Sequence, residues 1–299
     1  MADCVLTLIA PAAAAGLGAA ADAAARALAA IGARVGTPDW LDPGIACDLP
    51  FAGADPAHAA VVARAALGAA PIDLVAQAAA GRRKRILVAD MESTIIANEM
   101  LEELADFLGL RAQVAAVTRR AMNGEIDFAA ALRERVALLK GLPESVLDRA
   151  GARIRVTPGA ATLMATMRAN GAVTALVSGG FRVYTRRIRE ELGFDLDVAN
   201  ELEIADGRIA GTVREPIVAG AAKLDTLTRL AAEHGLPLAA TLAVGDGAND
   251  LAMIAAAGLG VAFRGKPAVA AQARARIDHA DLTALLYAQG YRRAEFRGG

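Results

Sequence analysis

Hydrophobic and polar positions along the chain fall into two stretches of different rhythm. In the first, apolar runs at residues 5–10, 45–51 and 72–77 read as strands, and alanine-rich segments at 19–31 and 56–67 as helices. The turn Asp42-Pro43-Gly44 precedes the second run, and an extended segment over 35–41 completes the order β-α-β-β-α-β, that of a small ferredoxin-like sandwich. From residue 86 onward strands and helices alternate. Runs at 86–89, 172–177 and 241–244 predict a mostly parallel sheet with helices on both faces, an α/β fold. Each run leads into polar or glycine-bearing sequence: Asp90, Ser178-Gly179-Gly180 and Gly245-Asp246-Gly247. In an open α/β sheet the carboxyl ends of the strands form the ligand crevice. The helical stretch over about 95–150 is longer than one crossover requires and predicts a cap above that crevice, and Asp206-Gly207 within 202–213 predicts a hairpin turn.

The run Arg82-Arg83-Lys84-Arg85 follows Gly81, and the domain boundary is placed there, giving units 1–81 and 82–299. The chain's 32 basic and 33 acidic residues leave a net charge of −1, and no aromatics lie near the run. It therefore reads as a solvated linker rather than a nucleic-acid contact. With 55% hydrophobic residues over 299 positions the chain can bury a large core, which argues against a disordered tail. Cys4 and Cys47 are its only cysteines, too few for a disulfide framework or a cysteine-rich zinc site, and the expected compartment is the cytoplasm. The uncharged stretch over 4–21 has no basic start and is interrupted by Pro11, Gly16 and Gly18, so neither a secretory signal nor a membrane anchor is expected. His58, His234 and His279 lack metal-ligand spacing. A nucleotide-driven kinase is disfavoured, because no Gly-x-x-x-x-Gly-Lys-Ser/Thr loop is present.

Candidate chemistry gathers at the strand ends. In Asp90-Met91-Glu92-Ser93-Thr94 a period of two puts the carboxylates of Asp90 and Glu92 on one side of the chain. One can attack a phosphate ester while the other handles protons, although acids that merely cap a helix start would look the same. Asp246 and Asp250, four apart in Gly245-Asp246-Gly247-Ala248-Asn249-Asp250, would with Asp90 concentrate negative charge that a hard divalent ion relieves, and Mg²⁺ suits such oxygen donors. A glycine-rich turn capping a helix is the plainer alternative. Ser178, Gly179 and Gly180 offer a hydroxyl and open backbone N–H groups at a helix start, the ingredients of a phosphate cradle, and Lys223 can supply an ammonium.

Taken together, Asp90 to Thr94, Ser178-Gly179-Gly180-Phe181, Lys223 and the 245–250 segment resemble the four motifs of the haloacid dehalogenase superfamily, most closely its phosphoserine phosphatases, over about residues 83–290. The resemblance implies a Rossmann-like parallel sheet with a helical cap. It implies Asp90 as nucleophile, Glu92 as acid and base, and Ser178, Gly179 and Lys223 as the phosphate grip. Mg²⁺ would be held by Asp90, the Glu92 carbonyl and Asp246, with Asn249 and Asp250 supporting metal and phosphate. In the cap, Glu99 would receive the ammonium of phosphoserine, Arg135 its carboxylate, and Met122 and Phe128 would exclude water; a solvated helix face and ordinary core are the alternatives for these four.

One departure stands out: the family's second acid is usually Asp, and here it is Glu92. Relatives that resemble this Asp-x-Glu form can pass phosphate to an alcohol, so phosphotransfer, or a slow phosphate-binding regulator, stands beside hydrolysis of phosphoserine in serine biosynthesis. The first 80 or so residues resemble the regulatory, ACT-like domains attached to bacterial phosphoserine phosphatases, and a homodimer is compatible with that resemblance. No nucleic-acid or membrane partner is expected.

Overall fold

A computed structural model describes residues 3–11, 16–122 and 125–298 of the chain. The first unit contains β1 (Cys4–Ile9), α1 (Leu17–Ala30), β2 (Arg34–Val35), β3 (Asp39–Asp42), β4 (Ala46–Ala52), α2 (Pro56–Leu67) and β5 (Asp73–Ala78). The second helix begins where local chemistry says it should: Asp55 caps it by accepting from the Ala57 and His58 N–H groups at 2.9 and 3.1 Å, and Pro56 occupies the first turn. β1 pairs antiparallel with both β4 and β5. It is buried on both faces. Leu6 and Leu8 pack under α1 and α2 with Leu28, Leu49 and Phe51, whereas Ile9 faces the larger core.

The second unit supplies β6 (Ile86–Ala89), the helices α3 (Met100–Asp106), α4 (Arg111–Met122), α5 (Phe128–Ala137) and α6 (Ser145–Gly151), then α7 (Ala160–Ala169). There follow β7 (Val173–Phe181), α8 (Arg182–Leu192), β8 (Leu196–Asn200), a hairpin of β9 (Leu202–Ala205) and β10 (Arg208–Val213), and α9 (Ala221–Glu233). The chain closes with β11 (Thr241–Gly245), α10 (Leu251–Ala256), β12 (Leu259–Phe263), α11 (Pro267–Ala270), β13 (Ala275–Ile277) and α12 (Ala284–Ala288). α3 to α6 form the expected helical cap, with Leu104, Val114, Leu132, Val136 and Leu139 inside it. The β9–β10 hairpin closes its flank: Pro143 bridges to Arg208, and the Gly141 N–H donates to the Ile209 carbonyl at 2.9 Å.

The two units share one 11-stranded sheet in the order β2-β4-β1-β5-β13-β12-β11-β6-β7-β8, with β3 paired to β4. Strands β13 to β8 run parallel, and β5 joins them antiparallel through the register pair Arg276 and Leu74. The buried Asp73 carboxylate secures this seam by accepting from the N–H groups of Asp278, His279 and Ala280. Gln77 donates to the Ala288 carbonyl at 2.7 Å, Tyr287 donates to Asp42 at 2.6 Å, and Arg292 forks onto Asp39.

Three expectations need correction. The segment expected to be one strand over 35–41 is two, β2 and β3, so the first unit runs β-α-β-β-β-α-β. The basic run is not a solvated linker. Arg82 pairs with the buried Asp48, Arg83 pairs with Glu295 at 2.8 Å and stacks over Tyr291, and Lys84 is buried. The Lys84 ammonium donates to the carbonyls of Gly81 and Ala239 at 3.0 and 2.9 Å, which replaces the water it gives up, and burial holds its pKa below the usual lysine value. Nor do Ser178, Gly179 and Gly180 open a helix: β7 continues through them to Phe181, and α8 begins at Arg182.

Candidate active site

β6 lies between β11 and β7, all parallel, so their carboxyl ends deliver Asp90, the 245–250 turn and Ser178 to one place. Asp90, Asp246 and Asp250 are all buried, with one carboxylate oxygen of each within 4.8 Å of the others. The buried Lys223 ammonium, from the first turn of α9, lies 2.7 Å from Asp90 Oδ1 and 2.5 Å from Asp250 Oδ1. Asp250 is aimed by a short turn in which its other oxygen accepts the Gly247 N–H at 2.9 Å. Asn249, beside it, is exposed, with its side-chain oxygen over Gly247.

Burial, reinforced by Asp250 and Asp246, pushes the Asp90 carboxyl well above the ordinary range against the opposing pull of Lys223. Burial and Asp250 raise Asp246 in the same way, while Lys266 opposes them. Burial alone would lower Lys223, yet Asp90 and Asp250 overcome it and hold the ammonium above its usual value. Three crowded acids with hard oxygen donors, of which Asp90 and Asp246 are held above the usual carboxyl range, fit a hard divalent cation, which would favour the ionised form of those two.

Glu92 accepts the Met100 N–H at 2.8 Å, and its carboxyl is pushed up to about 8 by burial and by Glu99, against Met100, Arg135 and Lys223. Its other oxygen lies against Gly180, where a Cβ would sit 3.0 Å away. Phe128 closes the neighbouring position: a Cβ on Gly179 would lie 2.7 Å from its ring, so only glycine lets the cap descend onto this strand end. Ser178 accepts the Gly180 N–H at 2.9 Å.

Glu99 accepts from the Ser93 hydroxyl at 2.7 Å, and Ser93 reaches it through a left-handed backbone, φ 55°. Arg135 is braced by the Ala131 carbonyl and the Thr118 hydroxyl, both at 3.1 Å. Burial lowers its pKa, and the charges of Glu92, Glu99 and Glu102 act on it in the opposite sense. The cap thus turns a cation and an acid toward the sheet residues. Met122 ends α4, and its side chain lies outside the described residues.

Ser93 and two further residues escaped the sequence reading. Lys266 pairs with Asp246 at 3.1 Å and donates its backbone N–H to the Asp246 carbonyl at 2.9 Å. Asn200, buried at the end of β8, donates to the carbonyls of Gly179 and Val218, both at 2.9 Å, and accepts the Val218 N–H at 2.7 Å, tying the cradle to the loop before Lys223. The only sequence signal for either was a polar residue at or just beyond the carboxyl end of an apolar strand.

The haloacid dehalogenase-like hydrolase family model matches residues 87–255. A phosphoserine phosphatase of Streptomyces coelicolor is 45% identical over 241 residues, which are 81% of this chain and 59% of that protein. The chain therefore spans less than two thirds of that relative. A phosphoserine phosphatase of Streptococcus thermophilus is 45% identical over 199 residues, 67% of this chain and 93% of that protein. Among solved structures, a phospho-aspartyl intermediate analogue of phosphoserine phosphatase is similar with a TM-score of 0.65 and 38% identity, covering 69% of this chain and 98% of that one.

Proposed function

The chain belongs to the haloacid dehalogenase-like hydrolases and, within them, to the phosphoserine phosphatase family, and on that premise we propose that it hydrolyses O-phospho-L-serine to L-serine and phosphate. The observation that carries the reading is Lys223 bridging Asp90 and Asp250, with Glu92 two residues beyond Asp90 and its carboxyl pushed up to about 8 by burial and Glu99.

An Asp90 carboxylate oxygen attacks phosphorus and the bond to the seryl oxygen breaks. Glu92, with its carboxyl near 8, gives its proton to that oxygen, so serine leaves as the alcohol. The Glu92 carboxylate then takes a proton from water as the water oxygen attacks phosphorus, freeing phosphate and restoring Asp90. Lys223, Ser178 and the Gly179 backbone bind the phosphoryl oxygens. Mg²⁺, held by Asp90, the Glu92 carbonyl and Asp246 with Asp250 behind them, would keep the acids ionised and offset the phosphate charge. Arg135 and Glu99 bind the substrate carboxylate and ammonium, and Phe128 excludes water.

The β-α-β-β-β-α-β order of residues 4–78, in which the short β2 and β3 both pair with β4, supports an ACT-like regulatory unit before the catalytic unit that starts near residue 82. Among the described residues no helix is long and apolar enough to cross a membrane, and we place the protein in the cytoplasm on its two unpaired cysteines. Release of phosphate and serine from phosphoserine, with Mg²⁺ and with EDTA, tests the reading. Phosphate transfer to an added alcohol in preference to water would replace it.

A further inference from the structure

A cavity of about 530 Å³ opens at the seam of the two units, between α2 and β13, away from the carboxylate cluster. Its floor includes Leu74 and small residues of the turn after α2, and its walls carry Arg64, Arg274, Arg276, Asp278 and His279. The charge is placed by register. Ala275 and Ile277 of β13 are buried in the sheet, so Arg274 and Arg276, two apart, project together from its other face. Arg64 comes from α2 and is held by the Ile72 carbonyl at 2.7 Å.

Three guanidinium groups therefore meet one carboxylate on the walls. Asp278 is committed to Arg276 at 2.7 Å, and the Asp73 carboxylate beneath is occupied by backbone N–H groups. Arg274 has no hydrogen-bond or ion-pair partner among the described residues. Burial holds Arg64 below its usual pKa, with Arg276 pushing the same way and the carboxylates of Asp73 and Asp278 opposing. The volume falls in the range, about 300–1,000 Å³, of sites for metabolite-sized ligands.

We propose that this cavity binds a small, multiply charged anion, a phosphate- or carboxylate-bearing metabolite, through Arg64, Arg274 and Arg276. Planar guanidinium forks suit either oxyanion. The wall continues toward the active site: Arg264 donates its N–H to the Ile277 carbonyl and its guanidinium to that of Ala280, and two residues later Lys266 holds Asp246. The proposal does not depend on the substrate of the active site.

Calorimetric titration of the full chain at low ionic strength with succinate and, separately, with inorganic phosphate tests it. Succinate should bind wild-type protein at one site, and phosphate at one site beyond the active site. Arg274→Gln, which has no internal contact to lose, and Arg64→Gln should each weaken the seam site at least tenfold and leave the KM for phosphoserine unchanged. Binding of succinate alone would identify a carboxylate ligand, and of phosphate alone a phosphorylated one. The proposal is wrong if neither anion binds wild-type protein outside the active site, or if both variants bind as the wild type does.

Discussion

Lys266 lies 3.1 Å from Asp246, and Lys223 is shared between Asp90 and Asp250, so every acid of the buried cluster already has an ammonium partner. The two lysines differ in kind. Lys223 is enclosed, whereas the Lys266 side chain is 42% exposed and can be displaced at little cost.

A cation arriving at Asp246 competes with Lys266. Lys266→Met should therefore tighten divalent-ion binding roughly two- to fivefold, the scale of a screened surface ion pair. Calorimetry with Mg²⁺, or the spin resonance of Mn²⁺, reads this directly. Weaker binding in the variant would mean that Lys266 aims Asp246 instead of occupying it.

Asp90→Asn should abolish turnover and the covalent phosphoenzyme, which survives acid and is cleaved by base, while the fold is kept. Labelled phosphoserine and an acid quench detect the adduct. A labelled variant that still turns over would move the nucleophile elsewhere.

Burial and Glu99 raise the Glu92 carboxyl from 4.5 to about 8. In metal-free protein the folded state then keeps a proton that the unfolded chain releases above about pH 4.5. Stability from this group is complete below that pH and falls as pH climbs to about 8. Glu92→Gln has no charge to bury, so in EDTA its Tm should gain on the wild type by several degrees across this window and level off above it. Roughly 2–4 °C accompanies each kcal/mol at about this size. A constant Tm gap would show that Glu92 is ionised throughout.

Arg135 stands on the cap with the charges of Glu92 and Glu99 acting on it. Arg135→Ala should lower kcat/KM for phosphoserine about ten- to a hundredfold, the effect of losing a charge-assisted contact of roughly 1.5–3 kcal/mol. Phosphoethanolamine, which lacks the carboxylate, should be a poor substrate and nearly indifferent to the change. Equal losses on both would make Arg135 a brace for the cap through Thr118 and Ala131.

Much of this architecture could be read from local pattern. Pro56–Leu67 and Ile86–Ala89 match their expected bounds because a cap, a proline or a run of four apolar residues marks them within a few positions. The acids of the cluster were legible for a similar reason, since each follows an apolar strand. What escaped depends on partners far along the chain. Lys84 is buried because Ala239 offers a carbonyl, Asn200 matters because Gly179 and Val218 come to it, and β5 meets β13 across about 200 residues. Nothing in the short-range sequence encodes those meetings. Thus Arg82 to Arg85 read as a solvated linker although the folded chain uses the run as a fastening.

The junction of β5 with β13 has a further consequence. An unpaired outer strand presents a row of free N–H and C=O groups on which another chain can add. β13 would be such a strand without the first unit, and it is guarded only by the arginines beside it. β5 and the loop clasped by Asp73 cover it, so the outer edges of the whole sheet are β8 at one end and, at the other, the short β2 and β3, which pair in succession along β4. The amino-terminal unit is therefore a hem for the catalytic sheet. A version of the chain cut near residue 82 should turn over substrate only as far as it can be kept from pairing with itself, and light scattering at rising concentration would register that tendency before any loss of chemistry.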